Sequence, residues 1–188
     1  MKIGVLAVQG AFTEHEQMLC KLGAKCVELR RDSDIKDIDG LVLPGGESTV
    51  QSKLLRQLGM YAPLKEKISA GLPVLATCAG LILLAKEIAN ENTICFGTLP
   101  VRVRRNAYGR QLGSFQTTGQ VKGFGDYLMI FIRAPYIETA KENVEILAQV
   151  NGRIVAVRYQ HQLGMAFHPE MGSDDRIHRS FLEMINKC

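Results

Sequence analysis

Short apolar runs alternate with amphipathic stretches through the first half of the chain. Apolar runs with few charges predict buried strands at residues 2–9, 25–29, 40–43 and 73–77. The stretches between them predict helices at residues 12–22, 48–58 and 64–70, the second of them capped by Ser48. Strands of this kind, separated by helices, indicate a parallel sheet that is covered on both faces.

The second half of the chain has a different pattern. Shorter strands are predicted at residues 101–105, 128–132, 144–150, 153–158 and 162–167. Asn151-Gly152 joins two of these runs and is a strong hairpin signal, because both residues tolerate positive φ. An amphipathic helix over residues 174–186, capped by Ser173 or Asp174, closes the chain.

These elements predict an α/β fold with three layers. We expect a flavodoxin-like, mostly parallel sheet with helices on both faces and added antiparallel strands. The length of 188 residues suits one domain with a sizeable core. With no repeat, linker or break in composition along the sequence, we expect a single domain over residues 1–188.

Composition excludes several classes of function. Hydrophobic residues make up 46% and charged residues 22% of the chain, and the net charge of +4 is too small and too evenly spread to indicate nucleic acid binding. The first apolar run is too short for a signal peptide or a membrane span. The five cysteines include no C-x-x-C pair and no cluster at zinc-ligand spacing, so we expect reduced thiols in the cytoplasm, no metal and no cofactor.

One cysteine occupies a position that suits a nucleophile. Cys78 lies between the strand ending at Thr77 and a predicted helix over residues 79–88, and the small residues Ala79 and Gly80 follow it. A sharp strand-to-helix turn needs such small neighbours, and the free N–H groups at the start of the helix favour a thiolate and can bind an oxyanion. A buried structural thiol remains the alternative on this context alone, and it fits the other four cysteines.

A candidate base for this thiol lies at the end of the last predicted strand. His168 is followed by Pro169 and Glu170, and residues two apart on an extended segment project to the same side. Glu170 can therefore hold one ring nitrogen of His168 while the other faces the thiol. The other histidines, His15, His161 and His178, are interpreted as solvated surface residues because charged or polar residues surround them.

The segment LPGGEST, residues 43–49, supplies a possible second wall of the site. It lacks the lysine of a phosphate-binding P-loop and the third glycine of a dinucleotide fingerprint. The alternative is a loop in which a backbone N–H, that of Gly46, turns towards an acyl oxygen.

The motifs PGGEST, TCAG and FHPE, in this order, resemble those of the class I (triad) glutamine amidotransferases. Further stretches, IGVLAVQGAFTEH, RRNAYGRQ, FIRAPYI and DDRIHRSFLEMI, extend the similarity over the whole chain to the glutaminase subunits of pyridoxal 5′-phosphate synthase. The sequence departs from that family at Gly113 and Gln116, where an acidic residue is usual, and in a short connection between Glu91 and Leu99.

The resemblance implies hydrolysis of L-glutamine to glutamate and ammonia through a glutamyl thioester. Cys78 would be the nucleophile, His168 the proton shuttle and Glu170 the residue that orients it. The N–H groups of Gly46 and Ala79 would form the oxyanion hole. The positions that match the family's glutamine contacts are Gly46, Glu47, Ser48, Arg105, Ile132 and Arg133.

The resemblance also implies a partner. In this family the ammonia passes to a separate synthase subunit with a (β/α)8 barrel, within a large hetero-oligomer, and docking of that subunit activates the glutaminase. Gln9 matches a position beside the oxyanion hole that is expected to take part in this coupling. Two other interpretations stay open: a different thiol hydrolase of related fold, in many of which a histidine directly follows the cysteine, and a non-catalytic flavodoxin-like binding module.

Overall fold

The computed structural model describes residues 1–92, 94–105 and 114–187. Within these ranges the strands are β1 (Lys2–Leu6), β2 (Lys25–Leu29), β3 (Gly40–Leu43), β4 (Val74–Thr77), β5 (Ala85–Ile88), β6 (Leu99–Arg104), β7 (Ser114–Val121), β8 (Gly125–Ile132), β9 (Tyr136–Ala140), β10 (Glu145–Val150), β11 (Arg153–Tyr159) and β12 (Gln162–Met165). The helices are α1 (Phe12–Lys21), α2 (Ser48–Gln57), α3 (Tyr61–Ser69), α4 (Ala79–Leu84) and α5 (Arg176–Ile185). Short 3₁₀ turns lie at Asp32–Ile35 and Pro169–Met171.

One large mixed sheet forms the centre of the described structure. Its strand order is β2-β1-β3-β4-β12-β11-β9-β6-β5, with β10 paired to β11. The pairings from β2 to β12 are all parallel, whereas β11 is antiparallel to β12, β9 and β10. Helices surround the sheet, α1 packing on α5 and α2 on α4. The predicted α/β fold, with a largely parallel sheet and added antiparallel strands, is confirmed.

The parallel strands are the most deeply buried part of the molecule. Every residue of β3 and β4 is buried, and so is every residue of β12. Because these strands carry no charged side chains, burial of both faces of the sheet has a small desolvation cost, and their apolar side chains form the core. The carboxyl ends of β3, β4 and β12 therefore meet at one edge of a rigid layer, where side chains can be held precisely.

A separate hairpin of β7 and β8 lies beside the large sheet. Its register is regular from Ser114↔Ile132 to Val121↔Gly125. The sequence pattern predicted only residues 128–132 of this pair, because β7 has few large apolar residues and alternates between exposed and half-buried positions. The hairpin brings Ile132 to the edge of the sheet where β4 and β12 end.

Two predicted turns and caps can be compared with the structure. The Asn151-Gly152 hairpin is confirmed, since φ is 50° at Asn151 and 74° at Gly152 between β10 and β11. Ser48, predicted as a helix cap, is instead the first residue of α2, and the N-cap residue is Glu47, whose side chain makes no capping hydrogen bond. The closing helix starts at Arg176 rather than at residue 174, although the Asp174 carboxylate does accept a hydrogen bond from the Arg176 N–H at 3.1 Å.

The helix predicted over residues 79–88 is too long. Only Ala79–Leu84 is helical, and the following residues form β5, which pairs with β6. All six residues of α4 are buried, whereas Lys86 and Glu87 are exposed. Lys86 and Glu87 are charged and must reach solvent. An extended segment carries the chain out of the interior within two residues, so the helix ends before this pair.

The departures from the family pattern lie in part outside the described residues. Gly113 and most of the RRNAYGRQ stretch fall there, whereas Gln116 is an exposed residue of β7. In the described part of the chain, no helix combines the length and the apolar character needed to cross a membrane.

Candidate active site

Cys78 lies on a tight turn between β4 and α4. Its φ of 49° is unusual for a residue with a side chain, and its N–H donates a 2.8 Å hydrogen bond to the Met165 carbonyl at the end of β12. Two residues on, a Cβ at Gly80 would lie 2.0 Å from the Leu43 carbonyl oxygen. Only glycine fits there, so the small residues after Cys78 are explained by close packing of α4 on β3.

His168 and Glu170 follow the neighbouring strand β12. Because β4 and β12 are parallel, with Thr77 opposite Met165, the segments that follow them meet at the same edge. The His168 imidazole and the Cys78 thiol line the same cavity and interact electrostatically, and His168 Nδ1 lies 2.6 Å from Glu170 Oε1. The His168 N–H also donates to the Ile130 carbonyl on β8 at 2.8 Å. The structure thus brings the predicted nucleophile, base and orienting carboxylate together, with a hydrogen bond between the latter two.

The electrostatics of this series favour a charged base. Burial opposes protonation of His168, but its interactions with Cys78 and Glu170 raise its pKa to about 10. Burial also opposes the charge of Glu170, yet His15 and His168 more than offset it and lower the pKa of this carboxyl group. An imidazolium between a carboxylate and a thiol stabilises the thiolate, which is the reactive form of cysteine.

A cavity of about 230 Å³ opens directly on the thiol. Its lining includes Cys78, His168 and every residue predicted to contact glutamine: Gly46, Glu47, Ser48, Arg105, Ile132 and Arg133. Ala79 and Glu170 lie just behind this wall and are buried. Gln9, Gly10, Gly45 and Pro135 also line the cavity; of these, the sequence had singled out only Gln9.

Two arginines and two glutamates stand at the mouth of the cavity. The Arg105 guanidinium pairs with the Glu91 carboxylate at 3.1 Å and donates to Thr49 Oγ1 at 3.0 Å. Arg133 lies 3.4 Å from Glu47, and its side chain is 74% exposed. Both cations are thus held near the cavity by carboxylates of the chain, which an incoming carboxylate could replace.

The glycine loop after β3 is packed against the segment that follows β1. Gly10 has φ 107°, and a Cβ there would lie 1.8 Å from the Gly45 carbonyl oxygen, which accepts a hydrogen bond from the Ala11 N–H. The Gln9 side-chain oxygen accepts a hydrogen bond from the Glu47 N–H at 2.7 Å. The C=O and N–H groups of a trans peptide bond point in opposite directions. Because the Gly45 carbonyl points towards Ala11, the N–H of Gly46 in the same peptide bond points away from Ala11.

Two histidines were assigned wrongly from the sequence. His15 and His178 are fully buried rather than solvated, and they lie beside Glu170, whereas His161 is exposed as predicted. Helical spacing was the signal that could have shown this. His15 shares one face of α1 with Phe12 and Leu19, at intervals of three and four residues.

The remaining cysteines are not equally buried. Cys95 is buried and Cys26 is half-buried, but Cys20 is exposed, which corrects the prediction of a buried thiol there. Cys188 lies outside the described residues.

The chain belongs to the SNO glutamine amidotransferase family, whose family model matches residues 5–187. A relative from Desulfitobacterium hafniense, named pyridoxal 5′-phosphate synthase subunit PdxT, is 64% identical over 99% of this chain and 94% of its own length. A protein of the same name from Methanocorpusculum labreanum is 55% identical over 98% of both chains. A crystal structure of a glutamine amidotransferase superimposes with a TM-score of 0.93 at 41% identity, covering 98% of each chain.

Proposed function

We propose that this protein is the glutaminase subunit of a pyridoxal 5′-phosphate synthase and hydrolyses L-glutamine to glutamate and ammonia. The observation that carries the proposal is the placement of Cys78 and His168 in one cavity, with Glu170 hydrogen-bonded to His168 behind it. Membership in a glutamine amidotransferase family, with PdxT proteins as relatives, supports the choice of substrate.

The first half of the reaction forms a thioester. The Cys78 thiolate attacks the side-chain amide carbon of glutamine, and the carbonyl oxygen becomes an oxyanion. The N–H groups of Ala79 and Gly46 stabilise this charge, and the first N–H groups of α4 have no partner within the helix. The His168 imidazolium gives its proton to the amide nitrogen, the C–N bond breaks, and ammonia leaves.

The second half regenerates the Cys78 thiolate. Neutral His168 removes a proton from a water molecule, which attacks the thioester carbon. The second oxyanion collapses, the C–S bond breaks, and glutamate leaves with the thiolate and imidazolium restored. Glu170 stays ionised throughout and holds His168 Nδ1–H, so the other nitrogen always faces the reaction.

The arginines at the mouth of the cavity bind the amino acid end of the substrate. The guanidinium group of Arg105 or of Arg133 takes the α-carboxylate, and Glu47 takes the α-ammonium group. Ser48, Ile132 and the Gly46 backbone enclose the side chain of the substrate. The ion pairs Arg105–Glu91 and Arg133–Glu47 keep both cations close to the cavity when no substrate is bound.

The ammonia is passed to a synthase subunit of (β/α)8-barrel fold, within a large hetero-oligomer in the cytoplasm. Gln9 couples docking to catalysis in this proposal, since its side-chain oxygen accepts the Glu47 N–H in the loop that contains Gly46. A partner that moves Gln9 would free that loop to turn its N–H groups towards the oxyanion.

Glutamate release from glutamine, measured with and without the synthase subunit, tests this function. We expect strong stimulation by the partner and transfer of ¹⁵N from amide-labelled glutamine into the product of the complex. Gln9→Leu should reduce the stimulation without preventing binding. Absence of glutamate release in the presence of the partner would refute the proposed function, and equal rates with and without it would refute the coupling.

A further inference from the structure

A buried series of polar side chains continues behind Glu170, on the side away from the thiol. His15, on α1, places Nε2 3.3 Å from Glu170 Oε2 and 3.1 Å from Thr77 Oγ1. Its Nδ1 lies 2.9 Å from His178 Nε2 on α5. His15, Thr77 and His178 are 0% exposed, and Glu170 is 5% exposed. Two imidazoles thus occupy the interior where apolar side chains would be expected.

Both imidazoles are neutral at physiological pH. Burial lowers the pKa of His15, and burial together with the neighbouring His15 lowers the pKa of His178 to about 3. A neutral imidazole carries one N–H, so each ring donates at one nitrogen and accepts at the other. The hydrogen bond between the two rings can therefore run in either of two directions, with His178 or His15 as the donor.

One direction satisfies the close contacts and the other does not. If His178 Nε2–H donates to His15 Nδ1, then His15 Nε2–H faces Glu170 Oε2 and Thr77 Oγ1. In the opposite direction His15 would present a lone pair to the carboxylate. His178 would also bury its Nδ1–H, which has no partner within the described residues. The N–H groups therefore point from His178 through His15 towards Glu170.

The two oxygens of Glu170 are divided between two histidines. Oε1 is held by His168 at 2.6 Å, whereas Oε2 is buried and makes no aligned hydrogen bond within the described residues. The polar side chain that lies against Oε2 is His15. Without that N–H, half of a buried carboxylate would be left in apolar surroundings, a state that favours protonation or rotation of the group.

Four other titratable groups, Glu14, Lys21, Tyr127 and Asp175, lie around His15 and Glu170. Glu14 lies beside His15 on α1 and raises its pKa, although less than burial lowers it. On β8, burial and several carboxylates, Glu170 among them, raise the pKa of Tyr127. Lys21 and Asp175 line a surface cavity that Glu170 also reaches. None of these four makes a hydrogen bond to Glu170 among the described contacts, so the N–H of His15 has no substitute there.

We propose that His15, oriented by His178, is a positioning residue that fixes Glu170 against His168. It touches neither the thiol nor the cavity, and it acts through the carboxylate. Its second contact strengthens this role, because Thr77 directly precedes Cys78 and a single imidazole thus joins the segments that carry nucleophile and base. This inference rests on the proposed function for its kinetic test but not for its chemical test.

The kinetic test compares His15→Leu with His15→Gln in the complex with the synthase subunit. Leucine fills the space without a donor, whereas the glutamine amide can place an N–H near the position of Nε2. For His15→Leu we expect a fall in kcat of about tenfold or more, part of the roughly 10²–10⁴-fold that a positioned base contributes. KM should stay within about threefold of the wild-type value. The acidic limb of the pH profile of kcat should move to higher pH by about one unit. His15→Gln should restore most of kcat and the position of that limb.

Two further variants separate positioning from stability. Gln162→Leu removes a partly buried hydrogen bond of 2.9 Å, donated by the Thr98 hydroxyl, at the opposite end of β12. It should lower Tm by an amount comparable to that of His15→Leu and leave the acidic limb in place. His178→Leu should lower kcat less than His15→Leu does, and the double variant should be no slower than His15→Leu alone, because His178 acts only through His15.

The chemical test needs no glutamine. The rate at which iodoacetamide alkylates Cys78, followed by mass spectrometry of its peptide across a range of pH, reports the thiolate directly. Its midpoint should move to higher pH in His15→Leu and stay near the wild-type value in His15→Gln. Unchanged midpoints in both variants, or an equal shift in Gln162→Leu, would overturn the positioning role. If alkylation of Cys78 depends on pH as expected in the wild-type protein but the protein releases no glutamate, the proposed function is refuted instead.

Discussion

Glu170 is a buried carboxylate that lies between two histidines, His168 and His15. Its two oxygens face two imidazoles from different parts of the chain: Oε1 is hydrogen-bonded to His168, and Oε2 lies 3.3 Å from His15 Nε2. His168 in turn faces the thiol. The reactivity proposed for Cys78 therefore depends on residues that lie well behind the cavity.

Cys78→Ala is expected to abolish glutamate release, with a loss of about 10³-fold or more, because no other described side chain in the cavity is a comparable nucleophile. Cys95→Ala is the matched control, since Cys95 is also a buried thiol but does not line this cavity. An electrophilic glutamine analogue should label the peptide that contains Cys78. Activity that survives in Cys78→Ala would contradict the mechanism.

The buried histidines predict a loss of stability in mild acid. The pKa of His178 is about 3 in the folded protein against 6.5 for an exposed imidazole. The unfolded chain therefore binds the extra proton as pH falls from 6.5 towards 3, and the free energy of unfolding falls over that window. His178→Gln should make this dependence shallower by up to about 1.4 kcal/mol per pH unit.

Urea unfolding at a series of pH values measures this slope. His161→Gln is the control, because His161 is exposed and should leave the slope of the wild type unchanged. Parallel slopes for wild type and His178→Gln would show that His178 is not held neutral in the folded protein.

At the scale of elements, the site depends on how closely α4 approaches β3. Gly80 sits against the Leu43 carbonyl, so the turn that presents Cys78 has no room for a methyl group. The position of the thiol is thus set by packing of the helix against the sheet rather than by the turn alone. Any residue that lifts α4 moves the thiol away from His168.

Gly80→Ala should therefore destabilise the protein by about 1–3 kcal/mol, the usual cost of overpacking, and lower kcat as well. Gly172→Ala is the matched control, since the nearest atom to a Cβ there is 3.8 Å away and its φ is negative. Thermal melting and the glutaminase assay on both variants check this prediction. A stable, fully active Gly80→Ala protein would mean that α4 can shift without moving the thiol.

The elements that the sequence predicted well are those with a strong local signal. The charge-free runs of β3 and β4 and the Asn151-Gly152 turn carry such signals. The proposed triad residues lie after β4 and β12 as expected, although Glu170 lies in a 3₁₀ turn rather than on the extended segment that was predicted. β5 and β7 carry weak ones: β5 has a charged pair at its centre and β7 few large side chains. Helical spacing could have indicated that His15 is buried, but its contact with His178 depends on how α1 and α5 pack together, which a local pattern does not specify.

At the scale of the whole molecule, the closing helix completes the core. Ile177 and Phe181 of α5 are fully buried, and a Cβ on Gly40 of β3 would lie within 2.9 Å of Phe181 and still closer to Ile185. α5 also supplies His178 to the series behind Glu170. The last helix is thus part of both the core and the proposed site.

A chain that ends after Asp175 should lose cooperative unfolding, because it exposes the face of the sheet that α5 covers. A chain that ends after Asn186 should melt like the full-length protein, since it retains all of α5. Circular dichroism melting of both proteins is the measurement. A cooperative transition near the wild-type Tm in the shorter chain would show that α5 is dispensable for folding.

The position of β12 also bears on the order in which the protein is made. This strand, near the end of the chain, lies between β4 and β11, and it carries His168 and Glu170 to the thiol. A ribosome that has synthesised the chain from β1 to α4 has already produced Cys78, but not His168, its proposed base. By the proposed mechanism the nascent chain holds a thiol without its base, and ammonia production begins only when β12 has been inserted into the sheet.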